Sequence, residues 1–180
     1  MSSGDIDDIL GSAAQLQRYL EQSDDLRTYL LIADSLPILR ATIPYGAGIS
    51  TDGQTRYIDS RIDTIFNGVD VGSALARHES VEWGLREFCG VGVDYANDPM
   101  GHRLANRAEL DKLNELIPNY ANDMANLWAD YDDFIDPQIR EIEYAPLDEN
   151  VPLDLAMYPY EGTPLYEKIR KVQNGQPRQA

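Results

Sequence analysis

The sequence predicts an α+β fold: a mostly helical single domain carrying one small antiparallel sheet. Three observations lead there. Apolar residues recur at three- and four-residue spacing through most of the chain, as on amphipathic helices. Residues 41–66 break that pattern with a composition rich in Thr, Ile, Tyr and Gly around an Asp52-Gly53 turn signal. A length of 180 residues, 43% of them hydrophobic, is enough for one core, and no linker marks off a second.

In chain order, residues 5–20 place Ile6, Ile9, Leu10, Ala13, Leu16, Tyr19 and Leu20 on one helical face. A second helix is expected from an N-cap at Asp24 or Asp25 to Ser35, stopped by Pro37. These two form an N-terminal helical pair, residues 1–40, whose expected role is packing. The hairpin of residues 41–66 follows, its second strand being "TRYIDSRI", and a Gly-containing connection, "NGVDVGS", leads into a helix from Gly72 or Ser73 to a left-handed cap at Gly90. Asp98-Pro99 reads as an N-cap followed by proline at the first helical position, starting a helix that runs to about Leu116. Beyond Pro118 comes a helical stretch over residues 119–135, expected to end before Pro137. The remainder of residues 118–180 reads as an irregular strap punctuated by Pro146, Pro152, Pro159 and Pro164, with a short helix near 165–172.

Charge and cysteine content narrow the function. The 31 acidic residues against 15 basic ones give a net charge of −16, which repels nucleic-acid phosphate, so no direct nucleic-acid partner is expected. The acids are spread along the chain, unlike the periodic track of a phosphate mimic. No apolar run reaches the roughly 20 residues of a membrane helix, and the opening "MSSGDIDD" lacks the basic and apolar regions of a secretory signal, so a cytoplasmic protein is expected. The expected partner is a peptide or protein, and the amphipathic first helix leaves an oligomer open. Cys89 is the only cysteine, so any metal site must be built from His, Asp and Glu.

Residues 76–88 read "ARHESVEWGLREF" and contain HExxE. His78 and His102 are the only histidines. At about 100° per residue, Ala74, His78, Val81, Glu82 and Leu85 share one face of the first helix, with Glu79 on its flank. His102, Ala105, Asn106, Glu109, Leu113 and Leu116 share a face of the next. Each inward stripe thus carries a histidine and a carboxylate. Burying a carboxylate costs several kcal/mol unless it is paired or bound to a cation. One ion held by His78 and Glu82, one turn apart, and by His102 from the second helix satisfies both faces. The competing reading makes the histidines hydrogen-bonded core residues and sends the glutamates to arginines such as Arg86, Arg103 or Arg107. Glu109, about 10 Å along the helix axis from His102, suits a supporting role, orienting an imidazole or meeting an arginine, better than a fourth ligand. Asp59, in "YIDSR", is open between a strand-edge contact and support of the site.

These residues resemble the zincin metallopeptidases in which HExxH is followed some twenty-odd residues later by a helix donating the third ligand. Here the set is permuted, but the inventory of two imidazoles and one carboxylate is the same. "HRLANRAEL", residues 102–110, resembles the third-ligand helix of ImmA/IrrE-type peptidases, and small phage-encoded zincin-like proteins are similar over about residues 43–116. The resemblance implies a zincin-like core over residues 41–117, and Zn²⁺ on His78, Glu82 and His102 with water in the fourth position. It further implies Glu79 as general base, Tyr95 as a hydrogen-bond donor to the oxyanion, and a strand before the site helix whose edge accepts an extended peptide. The activity implied is that of a zinc-dependent peptidase or peptidase-like hydrolase. The alternatives are a non-catalytic zincin-like phage structural or interaction protein, with or without a structural metal, and Fe²⁺ on the same two-His, one-carboxylate set. A phage-encoded protein would reside in the host cytoplasm or the virion.

Overall fold

The computed structural model describes residues 3–43, 45–92, 100–120, 123–142 and 151–154. The N-terminal region holds three helices instead of a pair: α1 (Ser3–Gly11), α2 (Ala13–Gln22) and α3 (Asp24–Ala33). The break after Gly11 has a local cause. The Ser12 hydroxyl donates to the Ile9 carbonyl at 2.7 Å and competes with the backbone ladder, while the Ser12 carbonyl starts α2. Ser23, not Asp24 or Asp25, caps α3, its hydroxyl accepting from the Leu26 amide at 3.1 Å. The two aspartates occupy the first turn instead, where their charge suits the positive end of the helix dipole.

The sheet is mixed where an antiparallel one was expected. Strands β1 (Ile38–Ala41), β2 (Ala47–Ile49) and β3 (Arg56–Asp59) lie in the order β1-β3-β2, with β3 antiparallel to β2 but parallel to β1. The Asp52-Gly53 turn does join β2 to β3, held by a Ser50 hydroxyl that donates to Asp52 at 2.6 Å and accepts from the Thr55 amide at 3.0 Å. The strand "TRYIDSRI" is therefore central and offers no free edge. The following connection forms a small hairpin of its own, β4 (Ile65–Phe66) with β5 (Val69–Asp70), turning through Asn67 and Gly68 at φ 50° and 79°.

Helix α4 (Gly72–Cys89) is the centre of the molecule, and 12 of its residues are buried. Asp70 fixes its start by accepting the Gly72 amide at 2.9 Å. Gly90, at φ 64°, ends it as expected, with the Val91 amide reaching back to the Leu85 carbonyl. Gly84 lets α3 approach closely: a Cβ there would stand 2.8 Å from Leu26 and 3.0 Å from Tyr29. Helix α5 (Met100–Leu116) ends where expected, while its anticipated start at Asp98-Pro99 lies outside the described residues.

Helix α6 (Met124–Ile142) runs through Pro137, where the sequence pattern called for a stop. Proline inside a helix costs about 3 kcal/mol, but the apolar stripe Leu127, Trp128, Tyr131, Ile135 continues to Ile142, and its burial outweighs that cost. The expected helix near 165–172 lies outside the described residues. Among the described residues no helix is long and apolar enough to cross a membrane. Two apolar clusters fill the interior. One gathers Ile9, Leu110 and Leu127, the other Leu26, Val81 and Leu104, and α4 and α5 contribute to both.

Candidate metal centre

The seam between those clusters, on the facing sides of α4 and α5, holds the polar group that the sequence singles out. His78, Glu79, Glu82 and Glu109 are 7, 8, 6 and 4% exposed. The His102 side chain, at 31%, is the member that reaches solvent. Glu82 Oε1 lies 3.3 Å from His78 Nε2 and 2.9 Å from His102 Nδ1, and the imidazole centroids are 4.8 Å apart. His78 Nδ1 faces Glu109 Oε2 at 3.0 Å, and the Tyr131 hydroxyl donates to Glu109 Oε1 at 2.5 Å. Glu82 meets His102 while Glu109, seven residues on, meets the earlier His78, so α4 and α5 run antiparallel here.

Both nitrogens of His78 point at carboxylates, which makes this ring an imidazolium in the metal-free cluster. Burial disfavours that charge, but Glu82 and Glu109 outweigh it and raise the His78 pKa well above the ordinary 6.5. Burial opposes ionisation of Glu82 too, yet the His78 charge and hydrogen bonds from both imidazoles hold its pKa at about 2. Glu79 goes the other way. Burial pushes its carboxyl up to about 8, with Glu82 and Glu109 adding to the rise against the pull of His78. Its Oε2 atom is buried and has no hydrogen-bond partner among the described residues. Burial and Glu109 raise the Tyr131 hydroxyl well above its ordinary 10.0, so it stays a proton donor.

Both histidines are hydrogen-bonded, as the competing reading has them, but its assignment of the glutamates to arginines is not what forms. Arg86 pairs with Asp154 instead, and Arg107 with Asp111 at 2.8 Å. Among the described residues, Glu79, Glu82 and Glu109 have no lysine or arginine within ion-pairing distance. Glu82 and Glu109 thus depend on the two imidazoles and the Tyr131 hydroxyl, and among the described residues Glu79 is left without a donor on Oε2.

His78, Glu82 and His102 can hold a metal ion, each offering one donor atom within 4.8 Å of the other two. Donors about 2.0–2.1 Å from a tetrahedral ion stand about 3.3 Å apart, close to the observed 3.3 and 2.9 Å. With His78 Nε2 turned to Glu82, its Nδ1–H remains on Glu109, the carboxylate–imidazole arrangement that fixes a ligand's tautomer. The structure therefore brings together His78, Glu82, His102 and Glu109, with Glu79 beside them. Tyr95 lies outside the described residues. Asp59 is elsewhere, bound to Arg61 and to the Ile43 amide.

Tyr131 was not legible as part of this group, although a signal existed. It lies in the apolar stripe of α6, and a tyrosine hydroxyl buried in such a stripe requires a partner. Arg86 and Asp154 were missed as a pair because they are 68 residues apart. No protein-family model, curated protein or solved structure matches this chain. Function is therefore read from the cluster itself.

Proposed function

We propose that the chain is a zinc-dependent hydrolase of the zincin type acting on peptide bonds, with Zn²⁺ held by His78, Glu82 and His102. The observation that carries this is the orphaned Oε2 of Glu79. A closed structural site leaves no acid unsatisfied, whereas a general base must keep one oxygen for water. Bound zinc would lower the pKa of its water to about 7 and polarise a carbonyl. With the metal in place, Glu79 would be positioned to accept the proton of the attacking water as its oxygen bonds to the carbonyl carbon, and to return that proton to the departing amine as the C–N bond breaks. Burial holds the Glu79 carboxyl at about 8 in the metal-free cluster, and a dication beside it would lower it, favouring the ionised form that a base needs. Glu109, steadied by Tyr131, keeps the His78 proton on Nδ1 and leaves Nε2 for the metal.

The test is Glu79→Gln. Elemental analysis should find about one zinc per chain in both proteins, with hydrolysis of a mixed peptide library lost in the variant alone. Zinc binding without hydrolysis in the native protein would leave the second reading, a structural metal in an interaction protein, which the deep burial of His78 and Glu82 favours. Stoichiometric iron would shift the assignment to the two-histidine, one-carboxylate iron class.

A further inference from the structure

Where β2 ends and the turn to β3 begins, the outer edge is occupied by the chain's own residues 151–154. Ser50 and Leu153 form an antiparallel bridge, the Asp154 amide donates to the Ile49 carbonyl at 2.8 Å, and the Thr51 amide donates to the Pro152 carbonyl at 3.1 Å. The segment thus lies against β2 as an added strand would. Pro152 suits such a position, since it lacks the N–H that would recruit a further strand. Asp154, 4% exposed, forms an ion pair with Arg86 of α4. Arg86 follows Glu82 by one helical turn, about 6 Å along the axis and about 40° around it, and follows Glu79 by two turns on nearly the same line. The segment is therefore pinned to the face of α4 that carries the metal-binding and proton-accepting groups. Ile49 of β2 packs in one cluster with Val81 and Leu85 of that helix, so edge and site are parts of one rigid unit.

Two features mark 151–154 as a displaceable occupant. Leu153 is buried with Ile43 and Tyr57 in a small cluster separate from the two that fill the interior, so its departure leaves both intact. Arg86 engages Asp154 through Nη2, while its Nη1 is buried and without a partner among the described residues. A guanidinium presents a fork that a carboxylate can meet with both oxygens. The internal aspartate uses half of it, and a better-placed acid would use all of it.

We propose that residues 151–154 are an internal pseudosubstrate. They hold the β2 edge and Arg86 until displaced, and they report the class of peptide the site takes: an extended segment in which an aspartate follows a bulky apolar residue. The inference rests on the peptide-hydrolase reading above and deepens it, because it names the substrate class and the element that withholds the site. The tripeptide Pro-Leu-Asp also occurs at 146–148, so the test alters both aspartates.

A fluorescent peptide matching residues 150–156 is titrated into the full chain and into the Asp148→Asn, Asp154→Asn double variant, with zinc and with chelator. At least tenfold tighter binding to the variant is expected, retained in chelator, and lost when the aspartate of the peptide is changed to asparagine. Equal affinity for both proteins, or indifference to the peptide's aspartate, overturns the proposal. Hydrogen exchange on the unaltered chain gives a second reading independent of how the variant folds. Saturating peptide should deprotect the Asp154 amide while the Thr51 amide, now held by the peptide, stays protected; if both are unchanged, the strap is a fixed part of the fold. Since neither measurement requires zinc or turnover, an inert metal site and a fixed strap give different results.

Discussion

Asp59, at the end of β3, and Glu79, Glu82 and Glu109, between α4 and α5, are all carboxylates withdrawn from water, but their partners differ in kind. Asp59 is fully buried, and every lone pair that matters is met: Oδ1 accepts from the Arg61 amide at 2.8 Å and Arg61 Nε at 2.7 Å, Oδ2 from the Ile43 amide at 2.8 Å and Arg61 Nη2 at 2.6 Å. Its partners are backbone amides and a guanidinium, none of which titrates in the physiological range. The α4–α5 group relies on imidazoles, which do titrate, and leaves Glu79 Oε2 unmet. A buried acid that only holds a loop is closed by permanent donors. The α4–α5 group is left short of a permanent donor, and under the proposed function that deficit is where the attacking water would sit.

The contrast breaks first at Asp59. Asp59→Ala strands the buried Ile43 amide and removes the carboxylate that meets Arg61, so stability should fall by about 3 kcal/mol in urea unfolding. Zinc affinity of the folded fraction, measured by competition with a chromophoric chelator, should not change. A loss of zinc binding in that variant would mean that Asp59 supports the metal centre after all.

The opposite pattern is expected across the helices. His102→Ala should weaken zinc binding by more than about 100-fold, the upper range for loss of a supporting partner, and Glu109→Gln by about 10–100-fold. Both are read in the same chelator competition. If Glu109→Gln proves as damaging as His102→Ala, then Glu109 is itself a ligand and the Tyr131–Glu109–His78 chain has been assigned the wrong role.

Much of this arrangement was readable from residues alone, and the reason is locality. The limits of α4 follow from Gly90 and a short loop, and the inward stripes of α4 and α5 follow from 3.6-residue periodicity, which is how His78, Glu82 and His102 were grouped. What failed was non-local. The parallel pairing of β1 with β3 depends on chain reversal through β2, and no local pattern encodes it. Pro137 reads as a breaker because the burial that overrides it comes from residues far away in sequence. Tyr131 and Asp154 reach their partners only after α6 and the 151–154 segment have docked.

The last difference between the two kinds of buried acid is their response to pH, and its sign is fixed by the direction of each shift. In metal-free protein Glu79 is raised from 4.5 to about 8, so between those values the native state carries a proton that the unfolded chain has lost. Stability therefore falls as pH rises through that window, by about 1.4 kcal/mol per pH unit for one such group. Glu82, held at about 2, contributes stability that is fully present above 4.5 and lost only toward pH 2, outside the window. His78, raised from 6.5, contributes stability present below 6.5 that is lost as pH climbs through its folded value, which steepens the decline above 6.5. Of Glu79, Glu82 and His78, Glu79 is the one whose titration separates native from unfolded chain between about pH 5 and 6.5. Asp132 is also raised, by burial and by neighbouring acids, but it is present in both proteins when native chain is compared with Glu79→Gln. Urea unfolding in chelator should show the variant's slope over that interval flattened by about 1.4 kcal/mol per unit. Saturating zinc should remove the His78 part of the native decline above pH 6.5, because binding there displaces the proton on His78 Nε2 and strengthens as that proton becomes easier to remove, which offsets the loss. Identical slopes for Glu79→Gln and native protein would place Glu79 among the acids closed by permanent partners, alongside Asp59, and would remove the base from the proposed reaction.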